Sequence, residues 1–111
     1  MDFTTAAEQA LAFRRARNWE QFHNPKDLAI SINLEAAELL ELFQWSGGEV
    51  EIGDKRAEAE QELADIMIYC IYFADRLGID IPQAIASKVQ LNESRYPVDK
   101  SRDSAKKYDE L

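Results

Sequence analysis

Two segments of this chain combine the apolar spacing of a helix with carboxylates placed inside the apolar pattern. One is LAISINLEAAELLELFQW, which contains Glu35 and Glu38, and the other is RAEAEQELADIMIYCIYFADRL, which contains Glu62 and Asp65. At about 100° per residue, the first acid of each pair falls in the apolar stripe and the second on its rim. Buried carboxylates are costly unless they are paired or bind a cation. Because no basic partner is evident, the pattern predicts two helices that converge on a cation site.

Helical spacing extends through most of the chain. Helices are expected at about residues 5–18, 25–45, 54–77 and 82–95. The boundary signals are a capping box of Thr5 and Glu8, an Asn24 cap followed by Pro25, Gly47 and Gly48 after the second helix, and Gly78 after the third. No segment shows the two-residue alternation of a half-buried strand. We therefore expect an all-α fold, a four-helix bundle with short connections.

The chain has the size of one small domain, which we place at residues 1–96. The remaining segment, PVDKSRDSAKKYDEL at 97–111, has few apolar side chains and is expected to be a mobile or conditionally ordered charged tail. The third helix is apolar on two sides around Met67, Ile68, Ile71 and Tyr72. This breadth favours assembly through helix three, as at least a homodimer, and the alternative is a fully central helix.

The composition excludes several classes of partner. With 13 basic and 21 acidic residues, the chain lacks the basic footprint expected for a nucleic-acid polymer or an anionic membrane. No apolar run is long enough to span a bilayer, and MDFTTAAEQA does not resemble a signal peptide. The single cysteine, Cys70, is expected to be a reduced core residue of a cytoplasmic protein.

The chemistry of the acidic pairs points to a hard cation. One pair at i, i+3 is common on solvated helix faces, but two pairs in the same relation to an apolar stripe are less readily explained that way. Ligation by oxygen alone favours Mg²⁺ or Mn²⁺ over Zn²⁺. Glu58 lies one turn before Glu62 and either joins the cluster or is solvated. Such a site, when it holds cations, attracts a phosphorylated ligand.

Two further sets of residues are candidates for substrate binding. Lys88, Asn92 and Arg95 share one face of the fourth helix, followed by Tyr96, and could contact phosphate oxygens or form an ordinary polar face. The aromatic set comprises Trp19, Phe22, His23 and Trp45, of which Trp19, His23 and Trp45 are the candidates for substrate binding. These residues could stack on a base and read its edge, with Gln44 as a nearby amide, or they could simply pack the fold.

The arrangement Glu35-x-x-Glu38 followed by Glu62-x-x-Asp65 resembles the signature of the MazG-like all-α nucleoside triphosphate pyrophosphohydrolases. The flanking segments RNWEQFHNPKDLAISINLEAAELLELFQW, ELADIMIYCIYFADRLGIDI and KVQLNESRYPVDKSRDSAKKY are similar to the branch that includes the deoxycytidine triphosphate pyrophosphatases. One departure from that branch is Ala36-Ala37, where a valine–glycine-like pair is expected. That departure removes no ligand.

The resemblance implies Mg²⁺-dependent hydrolysis of a nucleoside triphosphate to the monophosphate and pyrophosphate, with the two acidic pairs as metal ligands and catalytic residues. It also implies that dCTP or another pyrimidine deoxynucleotide is preferred, that the role is nucleotide-pool cleaning, and that the assembly is a homotetramer built as a dimer of dimers. The K-x-x-x-N-x-x-R-Y pattern and the aromatic set would then bind substrate. Two alternatives stay open: a non-enzymatic helical adaptor, and a nucleotide sensor that binds without turnover.

Overall fold

The computed structural model describes residues 1–45 and 53–111, which form two compact units divided after Gly78. The first unit contains α1 (Phe3–Ala16), α2 (Pro25–Glu41) and α3 (Arg56–Leu77), with 3₁₀ turns at Trp19–Phe22 and Gly53–Lys55. The second contains α4 (Ile81–Arg95), α5 (Val98–Ser101) and a 3₁₀ turn at Tyr108–Glu110. Within these residues there is no strand, which confirms the all-α class. The four-helix bundle and the domain boundary at residue 96 stay predictions.

The first helix begins two residues earlier than expected, because a different residue caps it. The Thr5 amide donates to Asp2 Oδ1 at 2.8 Å, so Asp2 is the N-cap and Thr5 lies in the first turn. The predicted capping box of Thr5 and Glu8 is therefore wrong. An Asp side chain satisfies the exposed amides of a helix start at least as well as Thr, and Asp2 precedes Thr5 by the three residues that capping requires.

The second helix begins where the sequence predicts and ends before the predicted point. Asn24 Oδ1 accepts from the Asp27 amide at 2.8 Å, and Pro25 occupies the first helical position. After Glu41 the hydrogen bonds change to three-residue spacing, such as the 3.0 Å bond from the Phe43 amide to the Leu40 carbonyl. Trp45 therefore lies in a turn beyond α2 instead of on it. The predicted glycine stop at 47–48 falls outside the described residues.

The third helix is the longest and supplies much of the core. Gly78 ends it in the left-handed conformation, with φ of 67°, as predicted from its position. α3 packs mainly against α2 and also against α1. Among the described residues, the buried apolar side chains are Leu28, Ile71, Tyr72 and Ala74. Because Ile71 and Tyr72 are already buried, only part of the predicted helix-three surface, including the partly exposed Met67, is accessible for assembly.

A buried arginine joins three elements of the first unit. The Arg14 side chain of α1 is 5% exposed and forms ion pairs with Asp75 of α3 and, at 3.4 Å, with Glu20 of the first 3₁₀ turn. Its guanidinium also lies 4.8 Å from the ring centre of Tyr72, whose hydroxyl donates to the Ala10 carbonyl at 3.0 Å. These contacts fix the position of α1 and of the 3₁₀ turn on α3.

In the second unit, Asp80 caps α4 by accepting from the Gln83 amide at 2.9 Å. α4 ends at Arg95 with Tyr96 as its C-cap, and the chain continues through the single turn of α5. No helix in the described part of the chain is long and apolar enough to cross a bilayer.

Candidate active site

The packing of α2 on α3 brings three of the four predicted acids together. One carboxylate oxygen from each of Glu35, Glu62 and Asp65 lies within 4.8 Å of the others. Glu35 and Glu62 are half-buried, whereas Glu38 and Asp65 are exposed. This is the pattern expected from their helical positions, with the first acid of each pair in the apolar stripe and the second on its rim.

The carboxylates of the cluster are crowded, and no cationic side chain of the described residues is among the causes that shift the pKa of Glu35 or Glu62. Burial is the largest cause of the raised pKa of Glu35, followed by the neighbouring Glu38 carboxyl and by the charges of Asp65 and Glu62. The pKa of Glu62 is raised chiefly by the Glu38 carboxyl, which can share a proton with it, and then by burial. Glu38 thus lies next to both half-buried acids. Like charges held this close destabilise the ionised forms unless a cation neutralises them.

The donor set fits a divalent cation. Glu35 Oε2 and Glu62 Oε2 are both buried, and neither has a hydrogen-bond partner among the described residues. Unpartnered buried oxygens are uncommon, because a polar atom removed from water loses its hydrogen bonds. Together with Asp65 they offer oxygen ligands only, the set that Mg²⁺ and Mn²⁺ take. Glu58 is exposed and is not among the three converging acids.

An apolar cleft of about 710 Å³ lies beside the cluster, between α1 and α3. Asp65 contributes to both the cleft and the acidic cluster. Trp19, one of the predicted base-binding residues, also lines the cleft, with its ring packed edge-on against Phe13 at 5.6 Å. The first unit therefore places an aromatic, water-poor surface next to its carboxylates, an arrangement that suits a ligand with an apolar ring and a charged end.

The other two aromatic candidates lie elsewhere. His23 stacks on Tyr72 with 5.2 Å between ring centres and meets Tyr69 at 6.4 Å. Burial and the charge of Arg14 lower the pKa of His23. The side chain of Trp45 is 89% exposed and is not among the cleft residues.

The residues predicted to bind phosphate all lie in the second unit. On α4, Lys88 is exposed and Asn92 and Arg95 are half-buried, with Tyr96 directly after them. The Arg95 guanidinium lies 4.6 Å from the ring centre of Tyr108.

Comparison with known proteins identifies the family. The model of the MazG-like family matches residues 30–111, which include both acidic pairs and the K-x-x-x-N-x-x-R-Y segment. The chain belongs to the MazG-like family. Within 104 aligned residues it is 43% identical to mouse dCTP pyrophosphatase 1 and 40% identical to the human protein, an alignment that covers 89% of this chain. The chain spans only 61% of the length of these relatives.

A MazG-like fold for this chain is also consistent with a solved structure. A pyrophosphatase from Archaeoglobus fulgidus superposes with a TM-score of 0.77 at 40% identity, covering 85% of this chain and 91% of that protein.

The sequence did not indicate a role at the candidate site for several residues near the acidic cluster. Phe13, Tyr69 and Tyr72 line the cleft, and Arg14 anchors its wall. The spacing of Tyr69 and Tyr72 at i, i+3 was a usable signal, since it puts both rings on one face of α3. Nothing in the local sequence marks Arg14 as buried, because its partner Asp75 is 61 residues away.

Proposed function

We propose that this chain hydrolyses nucleoside triphosphates between the α- and β-phosphates, releasing the nucleoside monophosphate and pyrophosphate. The observation that carries the proposal is the convergence of Glu35, Glu62 and Asp65, with two buried oxygens lacking partners. Membership of the MazG-like family and the names of the relatives, dCTP pyrophosphatase 1 and a pyrophosphatase, support the same reaction.

Glu35, Glu62 and Asp65 would hold the cation, with Glu38 as the fourth acid. When bound, Mg²⁺ would neutralise phosphate oxygens and acidify the attacking water. The half-buried position of Glu35 and Glu62 limits their contact with solvent, so their charge is directed at the ligand. Glu38, which is exposed and adjacent to both, is proposed to accept a proton from the attacking water.

The substrate-binding roles follow the family resemblance. Lys88, Asn92, Arg95 and Tyr96 are proposed to contact the triphosphate, whose charge suits two cationic side chains. Trp19, which lines the cleft, is proposed to stack on the base. His23, which stacks on the cleft residue Tyr72, is proposed to read the edge of the base. Trp45 is retained as a second stacking residue because its exposed indole is available to a ligand.

The preferred substrate is proposed to be dCTP or another pyrimidine deoxynucleotide, consistent with nucleotide-pool cleaning. This choice is supported by the mouse and human relatives, which are named for dCTP. The cofactor is proposed to be Mg²⁺, with Mn²⁺ as a substitute, because the donor set consists of oxygens.

The test is a product assay over a panel of deoxynucleoside and ribonucleoside triphosphates. We expect equal amounts of monophosphate and pyrophosphate, with dCTP giving the highest kcat/KM. Diphosphate and orthophosphate as products would contradict the proposed bond cleavage. A protein that binds Mg²⁺ and nucleotide without product would be a sensor, and one that responds to neither would be an adaptor.

A further inference from the structure

The segment after α4 folds back on the end of that helix. Tyr108 contacts two consecutive residues there: its ring lies under the Arg95 guanidinium at 4.6 Å and meets the Tyr96 ring edge-on at 6.0 Å. Tyr108 was expected to belong to a mobile or conditionally ordered tail. Its two partners are the last members of the predicted phosphate-binding set.

The backbone between Tyr96 and Tyr108 bends so that the chain comes back to the end of α4. The Ser101 hydroxyl donates to the Pro97 carbonyl at 2.7 Å and lies 3.0 Å from the Tyr96 carbonyl, so α5 is held to the end of α4. Asp103 then adopts a left-handed conformation, with φ of 61°, which redirects the chain. The following residues lead to the 3₁₀ turn that begins at Tyr108.

We propose that Tyr108 is a positioning residue that orients Arg95 for the triphosphate. The proposal rests on the proposed function, in which Arg95 contacts phosphate. A guanidinium held over a ring face by cation–π attraction is restricted in position, and this contact uses none of its N–H donors in a hydrogen bond to an acceptor. Among the described residues, no carboxylate forms an ion pair with Arg95.

The consequence is a lower entropic cost of binding. An arginine side chain has many rotamers, and ordering them when the ligand arrives weakens affinity. Because Arg95 is half-buried and already stacked on Tyr108, much of that ordering precedes substrate binding. Loss of the ring should therefore raise KM while changing kcat little, since the chemistry of the carboxylate cluster is untouched.

The experiment is a double-mutant cycle on the full chain with dCTP and, separately, with inorganic tripolyphosphate in the presence of Mg²⁺. We expect Tyr108→Ala to raise KM and the tripolyphosphate Kd about fivefold, because the variant has to order the Arg95 side chain when the ligand binds. Tyr108→Phe keeps the ring, so its KM and its tripolyphosphate Kd should stay within about twofold of the wild-type values. Val98→Ala, which trims a 75% exposed side chain in the same segment, is the matched control.

The coupling between Tyr108 and Arg95 distinguishes a positioning role of Tyr108 from simple packing of its ring against the end of α4. In an Arg95→Met background, Tyr108→Ala should add less than about twofold, because the group it orients is gone. An equal loss in both backgrounds, an unchanged KM in Tyr108→Ala, or a Tyr108→Phe variant as weak as Tyr108→Ala would overturn the positioning role. A wild type that releases pyrophosphate without this coupling rejects the inference alone. A wild type that neither turns over dCTP nor binds tripolyphosphate rejects both the inference and the proposed function.

Discussion

At the residue scale, the main physical property of the acidic cluster is the negative charge of its crowded carboxylates. Glu35, Glu62 and Asp65 converge, and Glu38 lies next to the two glutamates. Glu35 and Glu62 are half-buried, and each has a buried oxygen without a hydrogen-bond partner among the described residues. A cation bound between them would relieve their repulsion. Substitution of one acid by its amide keeps the side-chain volume and removes one charge, so it separates the catalytic from the structural role of the cluster.

We predict that Glu38→Gln and Glu62→Gln each abolish most turnover and leave a folded helical protein. The reason is that each removes a charge that the cation and the water require, whereas the packing is preserved. The measurement is pyrophosphate release at subsaturating Mg²⁺, with circular dichroism to verify folding. Glu58→Gln is the matched control on α3, because Glu58 is exposed and lies outside the converging acids. Near-native rates in both cluster variants would remove these residues from the site.

The raised pKa of Glu35 gives a second prediction, for the metal-free protein. Its pKa in the folded state lies above the ordinary value of 4.5, so the folded state binds the proton more tightly than the unfolded chain does. The resulting stabilisation is complete below about pH 4.5 and is lost as the pH rises through the raised pKa. In EDTA, Glu35→Gln should therefore melt at a higher temperature than the wild type at pH 7, and the difference should shrink as the pH falls towards 4.5. A pH-independent difference would contradict this account.

At the scale of elements, the helix starts and stops show what local sequence can specify. Asn24-Pro25 and Gly78 fix boundaries through contacts within a few residues, and both were predicted correctly. The early end of α2 was not predicted, because LFQW continues the apolar pattern through the turn at 42–45. The acidic cluster was predictable because helical spacing places each pair on one face. The cleft was not, since its walls come from α1 and α3, such as Phe13 and Tyr69, which are far apart in the sequence.

The aromatic elements carry a prediction about selectivity. Metal and phosphate contacts are common to all nucleoside triphosphates, so discrimination must come from the base and sugar. Base stacking on an aromatic side chain contributes about 1–3 kcal/mol. We predict that Trp19→Ala and Trp45→Ala raise KM and compress the differences among bases, whereas carboxylate variants lower kcat for all substrates. The measurement is kcat/KM for cytosine, uracil, thymine and purine deoxynucleotides. If the ranking of substrates and the KM are unchanged in one of these variants, the tryptophan that it replaces is a packing residue and does not bind the base.

At the scale of the whole molecule, the apolar surface left on the first unit favours self-association. Phe3, Phe13 and Met67 line one cleft, and these three residues and Leu63 are each 37–53% exposed. Apolar surface gathered in one place is typical of an interaction site. We predict a homodimer at minimum and a homotetramer, as a dimer of dimers, at full assembly. Sedimentation at micromolar concentration measures this. A monomer with intact activity would contradict this prediction. The Leu63→Glu variant should form smaller assemblies than the wild type at the same concentration.

The central claim is that the acids on α2 and α3 form a cation-dependent site for pyrophosphate release. The most direct measurement is the rate of pyrophosphate release from dCTP by the wild-type chain as Mg²⁺ is titrated into protein treated with EDTA. We predict no release without the cation, a saturable rise as Mg²⁺ is added, and equal amounts of dCMP and pyrophosphate. Release at the full rate in EDTA, or no release at any Mg²⁺ concentration from a folded protein, would contradict the claim.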